Sequence, residues 1–160
     1  MELYFQEKLS FKGKVEITDA EGKVIYTGKK GFWSGELILK NAEGKKVLAI
    51  GETAGLFNKR FVIHKKRKKI ATMKKKLSII GNKLHIKKLE WDVKGDFITR
   101  EYTITKGSET IAQIKKKKLI SLLEGYSIDV KNEAEVENVV AVCLVLNQIL
   151  KNKKAKFLKK

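Results

Sequence analysis

Proline is absent from this 160-residue chain, cysteine occurs once, histidine twice, and the 36 basic residues are almost all lysine. Each scarcity excludes something. A lone Cys143 rules out an intramolecular disulfide framework and agrees with a reducing compartment, so the expected location is cytoplasmic. Arginine stands only at Arg60, Arg67 and Arg100. Lysine is a hydrated point charge, whereas bidentate reading of phosphates and guanine edges draws on the guanidinium fork, which argues against specific nucleic-acid readout. The segment from Met1 to Gln6 has no basic n-region and no long apolar h-region, so no secretory signal is expected.

Catalytic chemistry is thin as well. His64 and His85 lie out of phase with their apolar neighbours Phe61, Ile63, Leu84 and Ile86, and both are expected to face solvent. Without paired cysteines or an H-E-x-x-H spacing they define no metal site. Cys143 sits in an apolar run, where a thiol acts as a small hydrophobe with a raised pKa rather than as a nucleophile. Neither G-x-x-x-x-G-K-[ST] nor G-x-G-x-x-G occurs. Asp92 and Asp96 flank Gly95 without the twelve-residue pattern of a calcium loop. No cofactor is expected, and the chain reads as non-enzymatic.

What is present is charge, alternation and repetition. The formal net charge is +18 with a pI near 9.9, which bears on anionic partners rather than on fold. Up to about residue 130 apolar and polar residues alternate in short runs such as Val15-Glu16-Ile17, Leu37-Ile38-Leu39 and Leu84-His85-Ile86, the pattern of half-buried strands. Turn formers separate them at Asp19 to Gly22, Asn41 to Gly44 and Lys106 to Glu109. The spacing reads as an antiparallel barrel or sandwich, and the lack of proline suits it. One stretch occurs twice. Phe61-Val62-Ile63 followed by Ile70-Ala71-Thr72-Met73 and three lysines recurs 41 residues later as Tyr102-Thr103-Ile104 followed by Ile111-Ala112-Gln113-Ile114 and three lysines. This is a duplicated hairpin.

Period two ends after Asn132. From Val136 to Leu150 the chain is apolar on nearly every side, with Asn132 as expected N-cap, glutamates near the start and lysines beyond the end. A helix of that kind must be buried in protein or lipid, and about 15 residues falls short of the roughly 20 that span a bilayer. It is expected to be almost wholly inaccessible inside a wall of strands, with Ala71, Met73, Ala112 and Ile114 as candidate lining.

The order of these pieces resembles the LURP-one-related proteins of the Tubby C-terminal-like superfamily, which includes phospholipid scramblases. The resemblance is carried by the Asp19 to Tyr26 turn and strand, the Leu37 to Ala49 hairpin and the two Ile-Ala-x-(Met/Ile)-Lys-Lys-Lys strands. Trp91 to Phe97 leading into Tyr102-Thr103-Ile104 and the terminal apolar helix complete it. It implies a closed, twelve-stranded antiparallel β-barrel enclosing a central hydrophobic C-terminal helix: one domain over 1–150, the helix at about 135–150, and a basic tail at 151–160. By the same resemblance, related bacterial proteins are expected to carry an acidic residue after the apolar run where this chain has Asn147, and no phosphoinositide-binding motif of Tubby proteins aligns.

Function then rests on the lysine clusters. Lys65 to Lys69 form a turn, while Lys74, Lys75 and Lys76 and Lys115, Lys116 and Lys117 end equivalent strands of the repeat. Lys153 and Lys154 belong to the tail with Phe157 and Leu158. Lysines beside apolar residues suit an anionic phospholipid surface, with a peripheral membrane location and no transmembrane span. A nucleic-acid-binding or regulatory role is the alternative, for which Phe32 and Trp33 are the candidate stacking aromatics; an unrecognised enzyme is the third.

Overall fold

The computed structural model describes residues 1–6, 14–31, 35–53, 60–74, 83–118 and 124–158, and of residues 6, 118, 124 and 151–158 the backbone alone. Phe32, Trp33, Lys75 and Lys76 therefore lie outside the described side chains. Twelve strands form one antiparallel sheet: β1 Glu2–Gln6, β2 Lys14–Thr18, β3 Val24–Lys30, β4 Leu37–Asn41, β5 Lys46–Glu52 and β6 Arg60–Lys65, then β7 Lys68–Lys74, β8 Lys83–Ile86, β9 Trp91–Asp96, β10 Glu101–Lys106, β11 Glu109–Lys118 and β12 Glu124–Val130. Neighbours run β7-β6-β5-β4-β3-β2-β1-β12-β11-β10-β9-β8. The sheet curls until β7 and β8 face one another in a nearly closed barrel, and Lys88 Nζ, on the β8–β9 turn, donates across that seam to Lys69 O at 3.3 Å.

The 41-residue repeat is the pair of hairpins β6–β7 and β10–β11. Their registers match in detail. Each carries a bulge at the same step, Ile63/His64 in the first and Ile104/Thr105 in the second, and β2–β3 and β4–β5 bulge after Ile17 and Leu39. All four residues before the bulge are core, at most 1 % exposed. A bulge bends and twists its strand, so bulges at a fixed depth in these four hairpins help curl a flat sheet into a wall. The side chains expected to line it do so: Ala71, Met73, Ala112 and Ile114 are all in the core.

Inside runs the part of α1 (Val136–Leu158) that ends at Leu150. Asn132 Oδ1 accepts from Ala134 N at 3.1 Å and caps a short 3-10 turn that leads into it. Val139 to Leu146 are all buried, as expected of a helix with no polar face, and of residues 136–150 only Gln148 is exposed. Burial pushes the Cys143 thiol up to about 12. At pH 8 almost none of it is thiolate, so a disulfide reagent is expected to react about 10³-fold more slowly than with a free thiol. One thiol should become reactive as denaturant passes the unfolding midpoint. Prompt reaction of the folded protein would contradict the buried position.

Adjacent strands alternate in direction, and this sorts the ends of the barrel. Odd-numbered strands finish at the end where α1 emerges, here the exit end. The opposite turn end holds the tight turns after β2, β4, β6, β8 and β10 and the start of α1. Lys65 pairs with Glu137 there at 2.8 Å.

Candidate functional site

Because β7 and β11 are both odd-numbered, Lys74 and Lys115 to Lys117 stand at the exit end. They are all exposed. They do not form one patch: β7 and β11 are four strand steps apart across the seam, roughly 19 Å along the wall at ~4.8 Å per strand. Lys117 is moreover engaged, with its Nζ 3.0 Å from Glu2 Oε1, 3.3 Å from Tyr4 OH and 4.9 Å from the Tyr4 ring centroid. The Glu2 hydrogen bond raises the lysine pKa and lowers that of Glu2. Lys115 keeps the more available charge on β11. Lys65 to Lys69 lie at the turn end, so that cluster is separate from the others. Residues 151–158, with Lys153 and Lys154, continue α1 beyond Leu150 at the exit end.

The corner between β9 and β10 occupies the same end and is built tightly. Gly95 has φ +145, and Arg100 is held at φ +61, a region costly for a residue with a Cβ. Asp96 Oδ1 accepts from Ile98 N at 2.8 Å and Thr99 N at 3.2 Å, and these bonds to backbone lower its pKa. Phe97 turns inward to stack on Tyr102, with centroids 5.8 Å apart. Ile98 points out instead, 94 % exposed at the tip.

Arg100 is 8 % exposed and reaches into the barrel. Its Nη1 donates to Asn147 Oδ1 on α1 at 2.7 Å and to Tyr126 OH at 3.2 Å, and its Cζ lies 5.7 Å from the Tyr126 ring centroid. The position where relatives were expected to carry an acid thus accepts a hydrogen bond from a buried guanidinium. Burial also pushes the pKa of nearby Tyr102 well above the tyrosine range.

On the other side of α1, against β1 to β6, a cavity of about 240 Å³ opens near the exit end. Its apolar walls include Phe5, Val15, Leu37, Ile50, Phe61 and Leu144, and its polar positions are Lys30, Glu52, Asn147 and Gln148.

The histidines divide. His64 is half-buried and His85 is exposed. His85 Nδ1 lies 2.8 Å from Asp92 Oδ1 and its Nε2 lies 3.4 Å from Glu90 Oε2. That contact is the main reason the Asp92 pKa is lowered. This is an imidazole held between carboxylates on the outer wall, at the rim opposite the cavity. Among the described residues no group of three or more His, Cys, Asp or Glu could hold a metal ion.

An antiparallel barrel nearly closed around a C-terminal helix is the Tubby C-terminal-like fold. The chain belongs to the LURP-one-related family, whose model matches residues 1–147. It is 26 % identical over 155 residues to an uncharacterized protein, YxjI, of Bacillus subtilis (strain 168), covering 95 % of each chain. It also resembles the X-ray structure of a protein from Arabidopsis thaliana, with a TM-score of 0.59 at 15 % identity over 90 % of this chain and 88 % of that one. No helix among the described residues is long and apolar enough to cross a membrane.

Arg100, Ile98 and the cavity went unnoticed in the sequence. Arg100 stood out only as one of three arginines. Lys94-Gly95-Asp96 is the local signal for the positive-φ corner, but nothing local pairs Arg100 with a helix residue 47 positions away.

Proposed function

We propose that this protein is a non-enzymatic barrel that docks its exit end on anionic phospholipid surfaces, working in the cytoplasm as a peripheral membrane protein. The observation that carries the reading is strand direction: Lys74, Lys115 and Lys116, the basic end of α1 and the exposed Ile98 all belong to one end of the barrel. Each lysine near an anionic leaflet contributes roughly 1 kcal/mol, screened by salt. An exposed isoleucine at a tight tip adds an apolar contact that a purely electrostatic partner would not use.

Sedimentation with phosphatidylserine-rich and with pure phosphatidylcholine vesicles across a salt series tests this. Binding is expected only to the anionic vesicles and to weaken steeply with salt. Reversing two charges, Lys115→Glu with Lys116→Glu, is expected to lower it at least about tenfold. Ile98→Ser is expected to weaken vesicle binding while leaving any DNA binding unchanged. Failure to sediment at low salt would sink the membrane reading. Equal affinity for DNA and vesicles, indifferent to Ile98, would transfer the rim to nonspecific polyanion or nucleic-acid binding.

A further inference from the structure

We infer that the cavity between α1 and strands β1 to β6 is a binding site for a single-chain anionic amphiphile, a fatty-acid carboxylate of about eight to ten carbons. This goes beyond membrane docking and does not rest on it, because the strand-end lysines of that reading stand on β7 and β11.

Size and lining set the ligand class. A volume of about 240 Å³ equals that of about eight waters in the liquid, and a methylene group is slightly smaller than a water. Phe5, Val15, Leu37, Ile50, Phe61 and Leu144 offer such waters no hydrogen bonds. Apolar cavities of this kind favour a hydrocarbon occupant. The polar positions come from the exit end, where β3, β5 and the buried part of α1 finish. Lys30 is exposed at the end of β3 and makes no ion pair among the described residues, and the amides of Asn147 and Gln148 come from the last buried turn of α1. Lys30 is the cationic side chain in the lining, so a carboxylate head is directed toward it. A chain carrying +18 also concentrates anions around itself. A neutral alkane would leave the lysine unused, and a phosphate without a chain would leave the apolar walls uncovered.

The test is calorimetric titration of the intact chain with hexanoate, octanoate and decanoate below their micelle concentrations, beside decanol and a lysophosphatidylglycerol. One saturable site is expected, with affinity rising about fourfold per methylene up to decanoate. Val15→Phe, which fills the cavity, is expected to cut decanoate affinity at least about tenfold. Lys30→Gln is expected to weaken decanoate several-fold and leave decanol unchanged. Should Val15→Phe fail to fold, Leu37→Ala replaces it: an enlarged cavity shifts the preference toward longer chains. Lack of saturable decanoate binding overturns the proposal. So does decanoate binding that ignores Lys30 and the cavity-changing variants, or binding of the lysophospholipid without the carboxylate. Lys115→Glu with Lys116→Glu should leave decanoate binding intact, which keeps failure here distinct from failure of the docking reading.

Discussion

Replacing Gly95 with alanine is expected to destabilise the protein by about 4 kcal/mol or more, lowering the melting temperature by roughly 8–16 °C for a domain of this size. Two causes act together. At φ +145 the backbone occupies a region that L side chains rarely adopt. A Cβ added there would also lie 2.3 Å from Glu101 O and 2.7 Å from Tyr102 Cα, atoms of the paired strand β10 that cannot rotate aside. The ladder between β9 and β10 would have to open at the point where Asp96 caps the corner and Phe97 enters the core. Gly107 supplies the control. It sits at φ +58 with nothing within 4 Å of an added Cβ, so Gly107→Ala meets only the left-handed backbone cost of about 1–2 kcal/mol. Thermal unfolding followed by circular dichroism separates the two. A Gly95→Ala protein melting within about 2 °C of the parent would mean that the corner relaxes freely.

Much of this architecture was legible from residue order. The duplicated segment identified β6–β7 and β10–β11 as one hairpin used twice, down to the lining residues Ala71, Met73, Ala112 and Ile114. The run from Val139 to Leu146, apolar on every side and too short for a bilayer, required a surrounding wall, and the strands supply it. These signals are local: period two, a turn residue, an unbroken apolar stretch. The site depends on relations that are not local. Whether Lys74 and Lys115 share an end follows from counting strand directions around the whole sheet, and their separation follows from where the seam lies. Lys117 is engaged by Glu2, 115 residues away. Arg100 finds partners 26 and 47 residues along the chain. A cavity has no residues of its own; it is the volume left where Phe5, Val15, Leu37 and Leu144 fail to meet.

Arg100→Leu is expected to cost about 3 kcal/mol, and the cost should be shared with Asn147. The hydrogen bond from the buried guanidinium to Asn147 Oδ1 is charge-assisted, of a type that contributes roughly 1.5–3 kcal/mol, and the bond to Tyr126 OH adds to it. Leucine forfeits both and keeps the unfavourable φ of +61. In a double-mutant cycle with Asn147→Leu, measured by denaturant unfolding, the coupling should reach about 1.5 kcal/mol or more; additive effects would show that the contact contributes nothing of its own. Arg100→Lys should recover part of the loss, because an ammonium keeps the charge but lacks the planar guanidinium whose Nη1 reaches both acceptors. Arg100 ties the last buried turn of α1 to the β9–β10 corner, and that turn also presents Asn147 and Gln148 to the cavity. Its loss should therefore act on both functions proposed for the exit end. With Arg100→Leu, decanoate affinity should fall although residue 100 does not line the cavity, and vesicle binding should weaken because the corner bearing Ile98 is no longer anchored to the helix.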